Sequence, residues 1–474
     1  MANDDLAWLS AVELATAIRT RKISPVEITE ALLARIEQLN PKLNALVTVA
    51  NGAAMCAARK AEEAVMHGDA IGPLHGVPLH VKDNLYVADS RTTFGSKLFE
   101  DNVTIEDCPT VKRMRAAGMI VIGRTNTPEF GWKGVTDNRV FGPTRNPWNT
   151  GLTPGGSSGG AAAAVAAGLG PIGLGTDGGG SLRIPASFCG VVGFKASFGR
   201  VPNWPGSGGA MLRHIGAITR TVADQALALD LIGVPDSADL LALPPTGVNF
   251  SADLDSGIRG KRIAFSPDLG YARVEPETAA ICRRTAERFA ETGAQVEEVT
   301  LDWRDPYEAW SVFFYGTAAA TMEKQLPTKG ELLDPGFKRV VEQGLKLRGV
   351  DFANALAARH ELWERVRRVY EQFDLLLCPT LAVPPFAVGQ NDADPVDGQR
   401  FGPLQWTQFS YPFNLTGQPA ASIPAGWTKS GLPIGAQIVG DRYADQLVLQ
   451  AARSWEQVQP WSDKRPPLAI ASRE

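Results

Sequence analysis

Two serines near the middle of the chain are set in clustered glycine, in Pro154-Gly155-Gly156-Ser157-Ser158-Gly159-Gly160 and in Thr176-Asp177-Gly178-Gly179-Gly180-Ser181-Leu182-Arg183. Glycine allows tight turns and leaves backbone N–H groups free to face a ligand. A serine at the end of such a run can expose its hydroxyl beside amide donors, which suits a nucleophile with an oxyanion hole. The alternative is a pair of flexible surface loops, which the clustered glycines and the flanking Pro154 and Pro185 disfavour.

Outward from these loops, helical and strand patterns alternate. Residues 161–167 predict a compact helix, and residues 171–175 predict a short strand that leads into the second serine loop. Val77, Leu79 and Val81 alternate with polar or small residues, which predicts a strand with Lys82 at its end. Further predicted elements are a third N-terminal helix over about 52–66, a helix over 109–118, and strands at 119–123, 262–265, 295–299, 375–377, 421–423 and 434–439. This alternation indicates an α/β sheet covered by helices.

The first two helices have sequence-level start signals. Ser10 and Glu13 form a capping box, and Ser24 with Glu27 repeats the signal with Pro25 at the first helical position.

Two later segments differ in composition. Residues 303–372 are predicted to be mainly helical and are rich in aromatic residues. They are expected to form a lid or one side of a pocket, with ordinary helical core as the alternative. Residues 383–403 are rich in Pro, Gly, Asp and Gln, which predicts a long loop.

Composition excludes several classes of protein. The net charge of the 474 residues is −4, which gives no electrostatic footprint for nucleic acid and no cationic membrane face. The sequence contains no run of 18 apolar residues, the length needed to cross a bilayer. The acidic N-terminus has no apolar stretch typical of a signal peptide. The five cysteines are odd in number and widely spaced, which disfavours a disulfide framework or a zinc site. We therefore expect a cytoplasmic protein.

Formal motif matches near the serines have the wrong context. The G-x-S-x-G at 155–159 lacks a preceding strand, and the G-x-G-x-x-G at 168–173 follows a helix. A Ser-His-Asp triad would need one of only five histidines, which stays open but which no neighbouring motif supports. We expect these histidines to be surface or hydrogen-bonded structural residues. A desolvated lysine can replace histidine as a base, and Lys82 is the candidate.

Together, Lys82 and the two serine loops closely resemble the amidase signature family. Further matches lie at 76–78, 125–129, 141–148, 188–193, 414–420 and 432–435. The likeness is dense from about 70 to 225, returns from about 405 to 445 and is weak between. It implies an α/β fold in one large domain, with a mixed, twisted central β-sheet covered on both faces by helices.

The resemblance also implies an organisation of the whole chain, 1–474. Its parts would be N-terminal helices in 1–70, the catalytic signature core in 70–225, the helical segment and substrate lid in 303–372, and the C-terminal part of the core in 405–474.

The family uses a Ser–Ser–Lys triad. By position in the motifs, Ser181 corresponds to the nucleophile, Lys82 to the base and Ser157 to the bridging residue, which follows a cis peptide bond in the family. Ser158 would assist as a hydrogen-bond partner. The resemblance implies no cofactor and no metal.

The nucleophile loop would supply the oxyanion hole. Its donors would be the backbone N–H groups of Gly178, Gly179, Gly180 and Ser181. Asp177 and Arg183 are expected to shape this loop through an ion pair or hydrogen bonds, with substrate contact as the alternative. Gly178 departs from the family, which often has Thr or Ile there, and the extra glycine is expected to loosen the loop.

Three residues bear on the substrate. Gly131 and Trp132 fall in a region that lines the acyl pocket in fatty acid amide hydrolase, and Trp132 would favour an apolar or aromatic group unless it belongs to the core. Thr407 falls near the position where the glutaminase chain of the glutamine-dependent aminoacyl-tRNA amidotransferase has an acidic residue for the glutamine amino group.

The resemblance implies an amidohydrolase that cleaves C–N amide bonds, with carbamate or ester bonds also open. The substrate would be a small molecule, with no nucleic-acid or membrane partner, and a homodimer stays open. The alternatives are an inactive binding subunit and a glutaminase similar to the one in the amidotransferase. Intact Lys82, Ser157 and Ser181 argue against the inactive protein.

Overall fold

Within the residues that the computed structural model describes, 3–206, 211–402 and 404–470, one mixed sheet of eleven strands is flanked by helices. A separate two-stranded ribbon accompanies it. In chain order, the strands are β1 (Leu46–Val49), β2 (Pro78–Lys82), β3 (Ser90–Arg91), β4 (Val103–Thr104), β5 (Ile120–Thr125), β6 (Ile172–Asp177), β7 (Val192–Lys195), β8 (His214–Thr219), β9 (Arg262–Phe265), β10 (Gln295–Glu298), β11 (Leu375–Pro379), β12 (Ala420–Trp427) and β13 (Pro433–Gly440).

Helices precede the first strand, follow the last strand and form most of the connections between the strands. They are α1 (Asn3–Leu6), α2 (Ala11–Arg19), α3 (Pro25–Leu43), α4 (Asn51–His67), α5 (Pro109–Ala116), α6 (Gly159–Ala166), α7 (Arg183–Cys189), α8 (Val222–Ile232), α9 (Pro276–Phe289), α10 (Tyr307–Met322), α11 (Leu326–Lys329), α12 (Pro335–Gly344), α13 (Gly349–Tyr370), α14 (Pro412–Thr416), α15 (Asp445–Val458) and α16 (Pro467–Ile470). Over the described ranges, no helix is both long and apolar enough to cross a membrane.

The large sheet mixes parallel and antiparallel pairs. Its strand order is β1-β5-β2-β6-β8-β7-β12-β13-β11-β9-β10. Parallel pairs join β5, β2 and β6 on one side and β11, β9 and β10 on the other. The central strands from β6 through β8, β7, β12 and β13 to β11 are antiparallel.

The two faces of the sheet pack against different sets of helices. Along β11, Leu375 and Leu377 belong to one buried apolar cluster, while Leu376 and Cys378 belong to another. Successive side chains of a strand point to opposite faces, so these clusters lie on opposite sides of the sheet. The first cluster contains residues of α2, α3, α4, α8, α9 and α15, and the second contains residues of α10, α13 and α14. The predicted α/β fold, with helices on both faces, is confirmed.

Both predicted capping boxes form. The Ser10 hydroxyl accepts from the Glu13 amide and the Glu13 carboxylate accepts from the Ser10 amide, and Ser24 and Glu27 cap α3 in the same way. Each element predicted from 52 to 167 overlaps a helix or strand of the same type, as do the five strands predicted after residue 260.

Three strands of the large sheet were not predicted from the sequence pattern. These are β1, β7 and β8, and β7 and β8 lie near the centre of the sheet. Every residue of β7 and β8 is buried, so neither strand alternates between apolar and polar positions. Polar and glycine residues inside both strands also break the apolar runs that mark a fully buried strand.

Candidate functional site

The site forms where two neighbouring parallel strands end. β2 and β6 pair in parallel, with Val81 opposite Leu174, so their carboxyl ends share one edge of the sheet. Lys82 is the last residue of β2, and Thr176 and Asp177 are the last residues of β6. The lysine therefore emerges beside the start of the second serine loop.

The Lys82 amine is surrounded by three hydroxyl groups. Its Nζ lies 2.8 Å from Ser157 Oγ, 2.9 Å from Ser158 Oγ and 2.9 Å from Thr176 Oγ1. The side chain is fully buried. Burial lowers the pKa of Lys82 well below its ordinary value, the positive charge of Arg213 lowers it further, and the Asp177 charge opposes both effects. This environment favours a neutral amine.

The hydroxyls around the amine differ in their other partners. Ser158 Oγ donates to the Thr176 carbonyl oxygen at 3.1 Å and accepts from the Thr176 amide at 3.3 Å. Thr176 Oγ1 also accepts from Asn84 Nδ2 at 3.2 Å. Within the described part of the chain, Ser157 Oγ bonds to Lys82 alone. Of the two serines, Ser158 thus commits its proton to a backbone carbonyl, whereas Ser157 does not.

The first serine loop has the backbone that the resemblance implied. The Gly156–Ser157 peptide bond is cis. A Cβ at position 156 would lie 2.7 Å from the Val135 carbonyl carbon, so only glycine fits there. Gly131, at φ +73°, approaches from the other side, and a Cβ on it would lie 3.0 Å from Ser157 Oγ.

The second loop is held by a buried ion pair. Arg183 contacts both carboxylate oxygens of Asp177 at 3.0 Å, and both side chains are fully buried. The remaining Arg183 N–H groups donate to the Ser410 carbonyl oxygen, Gln437 Oε1 and Asn414 Oδ1 at 2.7–2.9 Å. Burial alone would raise the pKa of the Asp177 carboxyl, but the Arg183 charge and the hydrogen bonds that Arg183 and Asn414 donate to this carboxylate hold the pKa well below its usual range.

Asp177 also organises the backbone of the loop. Its carboxylate accepts from the amide of Gly180 at 2.6 Å and from that of Leu182 at 3.2 Å. The Gly180 N–H is therefore engaged, which removes it from the four predicted oxyanion donors. The amides of Gly178, Gly179 and Ser181 have no acceptor among the described residues.

The glycine at 178 is not required by the local geometry. A Cβ added there meets no atom within 4 Å, and its φ is not in the left-handed region. A side chain such as threonine fits without a clash. Gly180 differs, because its φ is +124° and a Cβ would lie 2.3 Å from Ser410 Oγ.

Both serine loops open onto a cavity of about 490 Å³. Ser157 and Ser181 line it, and the Ser158 amide links the loops by donating to the Ser181 carbonyl oxygen at 3.3 Å. Ser181 is 9% exposed and Ser157 is 2% exposed. A cavity of this size holds a small organic molecule.

Gly131, Trp132 and Thr407 all lie in the cavity wall. Trp132 is half-buried, and its ring also packs against α12, where a Cβ on Gly336 would lie 2.3 Å from it. It therefore serves both the wall and the adjoining core. The Thr407 hydroxyl donates to the Leu404 carbonyl oxygen at 2.7 Å.

Aromatic residues dominate one end of the cavity. Phe130 stacks on Phe94 and on Phe337, with ring centroids 5.7 and 5.2 Å apart, and Phe99 meets Phe130 edge-on. The segment 303–372 contributes further wall residues, namely Trp310, Phe314, Thr317, Ala318, Thr321, Met322, Gln325 and Phe337. This segment forms one side of the pocket.

Trp310 of α10 also contacts the second serine loop. Its Nε1 donates to the Gly178 carbonyl oxygen at 2.9 Å, and a Cβ on Gly179 would lie 2.8 Å from its ring. Sequence reasoning noted the aromatic content of the segment and missed this contact. Thr176 and Asn414 were missed too, although Thr176 lies inside the quoted motif.

Among the described residues, no histidine is hydrogen-bonded to Ser157, Ser158 or Ser181. His67 and His360 are exposed, and His75 contacts the Ala61 carbonyl oxygen at 2.9 Å. His80 is buried, and burial lowers its pKa to about 4. His214 lies near the loop, but its ring nitrogens contact the carbonyl oxygens of residues 177 and 212 and the Lys195 amine.

Comparisons with known proteins find similarity along nearly the whole chain. The sequence profile of the family described as Amidase matches residues 27–449. An acylamidase from Rhodococcus erythropolis is 40% identical, with 98% of each chain covered. The A chain of the glutamyl-tRNA(Gln) amidotransferase from Moorella thermoacetica is 34% identical over 98% of this chain and 100% of its own. The crystal structure of a bacterial aryl acylamidase of the amidase signature family superimposes with a TM-score of 0.91, at 33% identity and 96% and 97% coverage of the two chains.

Proposed function

Because the chain belongs to the amidase signature family, whose members are hydrolases that act on amides, we propose that it cleaves C–N bonds through an acyl-enzyme on Ser181. One observation carries the proposal. The buried Lys82 amine lies 2.8 Å from the Ser157 hydroxyl, and Ser157 shares a cavity wall with Ser181.

The hydrogen-bond partners of Lys82 suggest the direction of proton flow. A neutral amine donates two hydrogens and accepts one through its lone pair. Ser158 already donates its proton to a backbone carbonyl, whereas Ser157 has no competing acceptor among the described residues. Ser157 can therefore give its proton to Lys82 while it takes the proton of Ser181. The resulting ammonium would have three N–H groups for three hydroxyl oxygens.

The activated Ser181 oxygen attacks the carbonyl carbon of the substrate. The electron pair of the C=O π bond moves to the carbonyl oxygen, which becomes an oxyanion. The amides of Gly178, Gly179 and Ser181 are the donors available to it, each worth roughly 3 kcal/mol in the transition state. Collapse of this intermediate breaks the C–N bond. The Lys82 ammonium returns its proton through Ser157 to the departing nitrogen, and a water molecule then hydrolyses the ester on Ser181.

The cavity favours an apolar acyl or aryl group. Its wall contains seven phenylalanine or tyrosine residues and no aspartate or glutamate within the described sequence. Trp132 adds apolar surface, and burial of apolar area contributes about 25 cal/mol per Å². Aryl amides and aryl carbamates match this wall, in agreement with the acylamidase and the aryl acylamidase to which the chain is similar.

Glutamine fits this wall less well. Thr407 offers a hydroxyl that already donates to the Leu404 carbonyl oxygen, and a hydroxyl cannot pair with an ammonium as a carboxylate can. We therefore propose a stand-alone amide hydrolase rather than the glutaminase component of an amidotransferase.

The purified chain tests both parts. It should hydrolyse p-nitroacetanilide or an aryl carbamate and leave glutamine nearly untouched. A fluorophosphonate should label it at Ser181, and Ser181→Ala should lose turnover and labelling while circular dichroism shows a retained fold.

Labelling that mapped to Ser157, or that persisted in Ser181→Ala, would contradict the assignment of the nucleophile. Strong glutaminase activity that a partner protein or tRNA increases would replace the hydrolase with the amidotransferase. If the wild-type protein neither reacts with the fluorophosphonate nor hydrolyses any of these substrates, the inactive binding protein would be the remaining alternative.

A further inference from the structure

The cavity wall contains one cationic side chain that has no ion-pair partner among the described residues. Arg213 lines the cavity, and its guanidinium donates weakly to the carbonyl oxygens of Pro205 and Asn84, both at 3.4 Å. No carboxylate of the described chain lies within ion-pair distance of it. Residues 207–210, outside the described part, are Ser-Gly-Gly-Ala and carry no acidic side chain.

One carboxylate shares a cavity wall with Arg213, but hydrogen bonds to other residues engage it. Asp239 lines a small neighbouring cavity that Arg213 also borders. Its two oxygens accept from the amides of Asn203 and Leu241 at 2.9 Å. The other cationic residue of the main wall, Lys133, pairs with Asp137 at 2.9 Å and with Asn391 at 2.8 Å. Arg213 is therefore the unpaired positive charge of the wall as far as the structure describes it.

Arg213 is half-buried, and an unpaired cation that is partly removed from water is unfavourable unless a ligand supplies the anion. Burial destabilises the charged form and lowers the pKa of Arg213 below its ordinary value, although an arginine stays protonated at neutral pH. The guanidinium presents its donors as a planar fork that matches a carboxylate. Among its described wall residues, the main cavity also offers no acidic side chain to a cationic substrate.

From these observations we infer that the site selects amides that carry a carboxylate, which pairs with Arg213 while the apolar part of the molecule lies against the aromatic wall. The inference rests on the proposed hydrolase and specifies its substrate class. It also predicts that the site rejects amides with an ammonium group.

Two matched pairs of substrates test the inference. Glutaryl p-nitroanilide and pentanoyl p-nitroanilide differ by a carboxylate on the acyl side, and p-acetamidobenzoate and p-methylacetanilide differ by one on the leaving side. In at least one pair the carboxylate should raise kcat/KM by about 10- to 100-fold, the range for a charge-assisted pair in a partly buried site. The effect should fall mainly on KM. An acetanilide with a p-aminomethyl group should be the poorest substrate.

Variants of the cation supply the control. Arg213→Met should bring the ratio of kcat/KM within the responsive pair close to one, and Arg213→Lys should restore part of it. Lys133→Met should leave the ratio as in the wild type, because the Lys133 charge is already paired. Burial lowers the pKa of Lys82 most, and the Arg213 charge lowers it further. Removing that charge will therefore change the absolute rates for every substrate. For this reason the measured quantity is the ratio of kcat/KM within a pair.

Binding to Ser181→Ala separates this inference from the proposed function. Isothermal titration should show that this variant binds the preferred carboxylate substrate about 10- to 100-fold more tightly than its uncharged partner. Adding Arg213→Met should remove the difference. Equal affinities and equal kcat/KM within both pairs would overturn the inference and leave the hydrolase intact. Selective binding by a protein that hydrolyses no amide would overturn the hydrolase and leave the anion site.

Discussion

Among the described residues, two fully buried lysines lie at the ends of strands, and only one of them contacts hydroxyl groups that line the cavity. Lys82 ends β2 beside hydroxyls that line the cavity, and Lys195 ends β7 among groups that do not. Burial lowers the pKa of both amines well below the ordinary value. A low pKa alone therefore does not distinguish a base from a structural amine.

The partners of the two amines make the difference. Lys195 Nζ donates to the carbonyl oxygens of Gln418 and Ala196 and contacts His214 Nε2 at 3.4 Å. Carbonyl oxygens only accept hydrogen bonds, so they can hold the amine but cannot pass a proton to it. The hydroxyls around Lys82 both donate and accept. These partners are the reason why we propose Lys82, and not Lys195, as the general base.

The largest expected effect separates the two lysines directly. Lys82→Met should lower kcat/KM for an anilide by about 10⁴-fold, because it removes both the base and the acid that protonates the leaving nitrogen. For a matched ester the loss should be about 10²-fold, since an alkoxide leaves more readily than an amide anion. Steady-state kinetics on the two substrates measure both losses.

Lys195→Met is the matched control for that experiment. With the fold verified by circular dichroism, it should reduce anilide hydrolysis by less than about tenfold, because no catalytic hydroxyl contacts Lys195. A folded Lys195→Met that lost as much activity as Lys82→Met would remove the distinction between the two amines. Equal losses on amide and ester in Lys82→Met would contradict the relay to the leaving nitrogen.

The two serines next to Lys82 sharpen the comparison. Ser157→Ala should lower amide turnover by about 10³-fold, because Ser157, unlike Ser158, does not donate its proton to a backbone carbonyl. Ser158→Ala should cost only about tenfold, the effect of losing one hydrogen bond that orients the amine. Single-turnover rates of the two variants give the ratio, and the reverse ranking would assign the relay to Ser158.

The two lysines also differ in their distance from the cavity, because only Lys82 contacts hydroxyls of its wall. A change at Trp132, another wall residue, tests what the wall contributes to substrate binding. Trp132→Ala should reduce kcat/KM for p-nitroacetanilide by about tenfold, because the variant loses roughly 1–2 kcal/mol of apolar contact. Acetamide, which is too small to reach the ring, should lose little. A uniform loss on both substrates would show that Trp132 supports the core instead of the substrate.

The smallest effect concerns stability, and here the two lysines should behave alike. For each, the folded-state pKa lies below the unfolded value near 10.5, so between these values the unfolded state binds one more proton and stability rises with pH. Lys82→Met and Lys195→Met should each reduce the slope of the free energy of unfolding in that window by about 1.4 kcal/mol per pH unit.

Urea unfolding between neutral pH and about pH 10 measures this slope. The anilide rate of the wild type should also rise with pH as Lys82 loses its proton. A variant of Lys82 with the wild-type slope would show that this amine is protonated in the folded protein.

The sequence could predict those parts of the molecule that local pattern specifies. Capping boxes, the strand that ends at Lys82 and the two glycine-rich loops are each contained in a few consecutive residues. The resemblance to a family assigned roles to Lys82, Ser157 and Ser181 from motif position, and these roles stay predictions.

Features that depend on distant segments could not be predicted in the same way. The Arg183 guanidinium bonds to Ser410, Asn414 and Gln437, which are more than 220 residues away along the chain. The commitment of the Gly180 amide to Asp177 depends on the fold of the loop rather than on its composition. Both needed the assembled sheet.

The hydrogen bond from Trp310 to the Gly178 carbonyl oxygen joins the wall of the cavity to the loop that carries the proposed nucleophile. The same indole that faces the ligand also fixes the peptide unit between Gly178 and Gly179. We therefore expect that remodelling α10 for a bulkier ligand would displace the proposed oxyanion donors. A change at position 310 that alters selectivity should then also change the rate, unless a second change in the glycine loop restores the position of these donors.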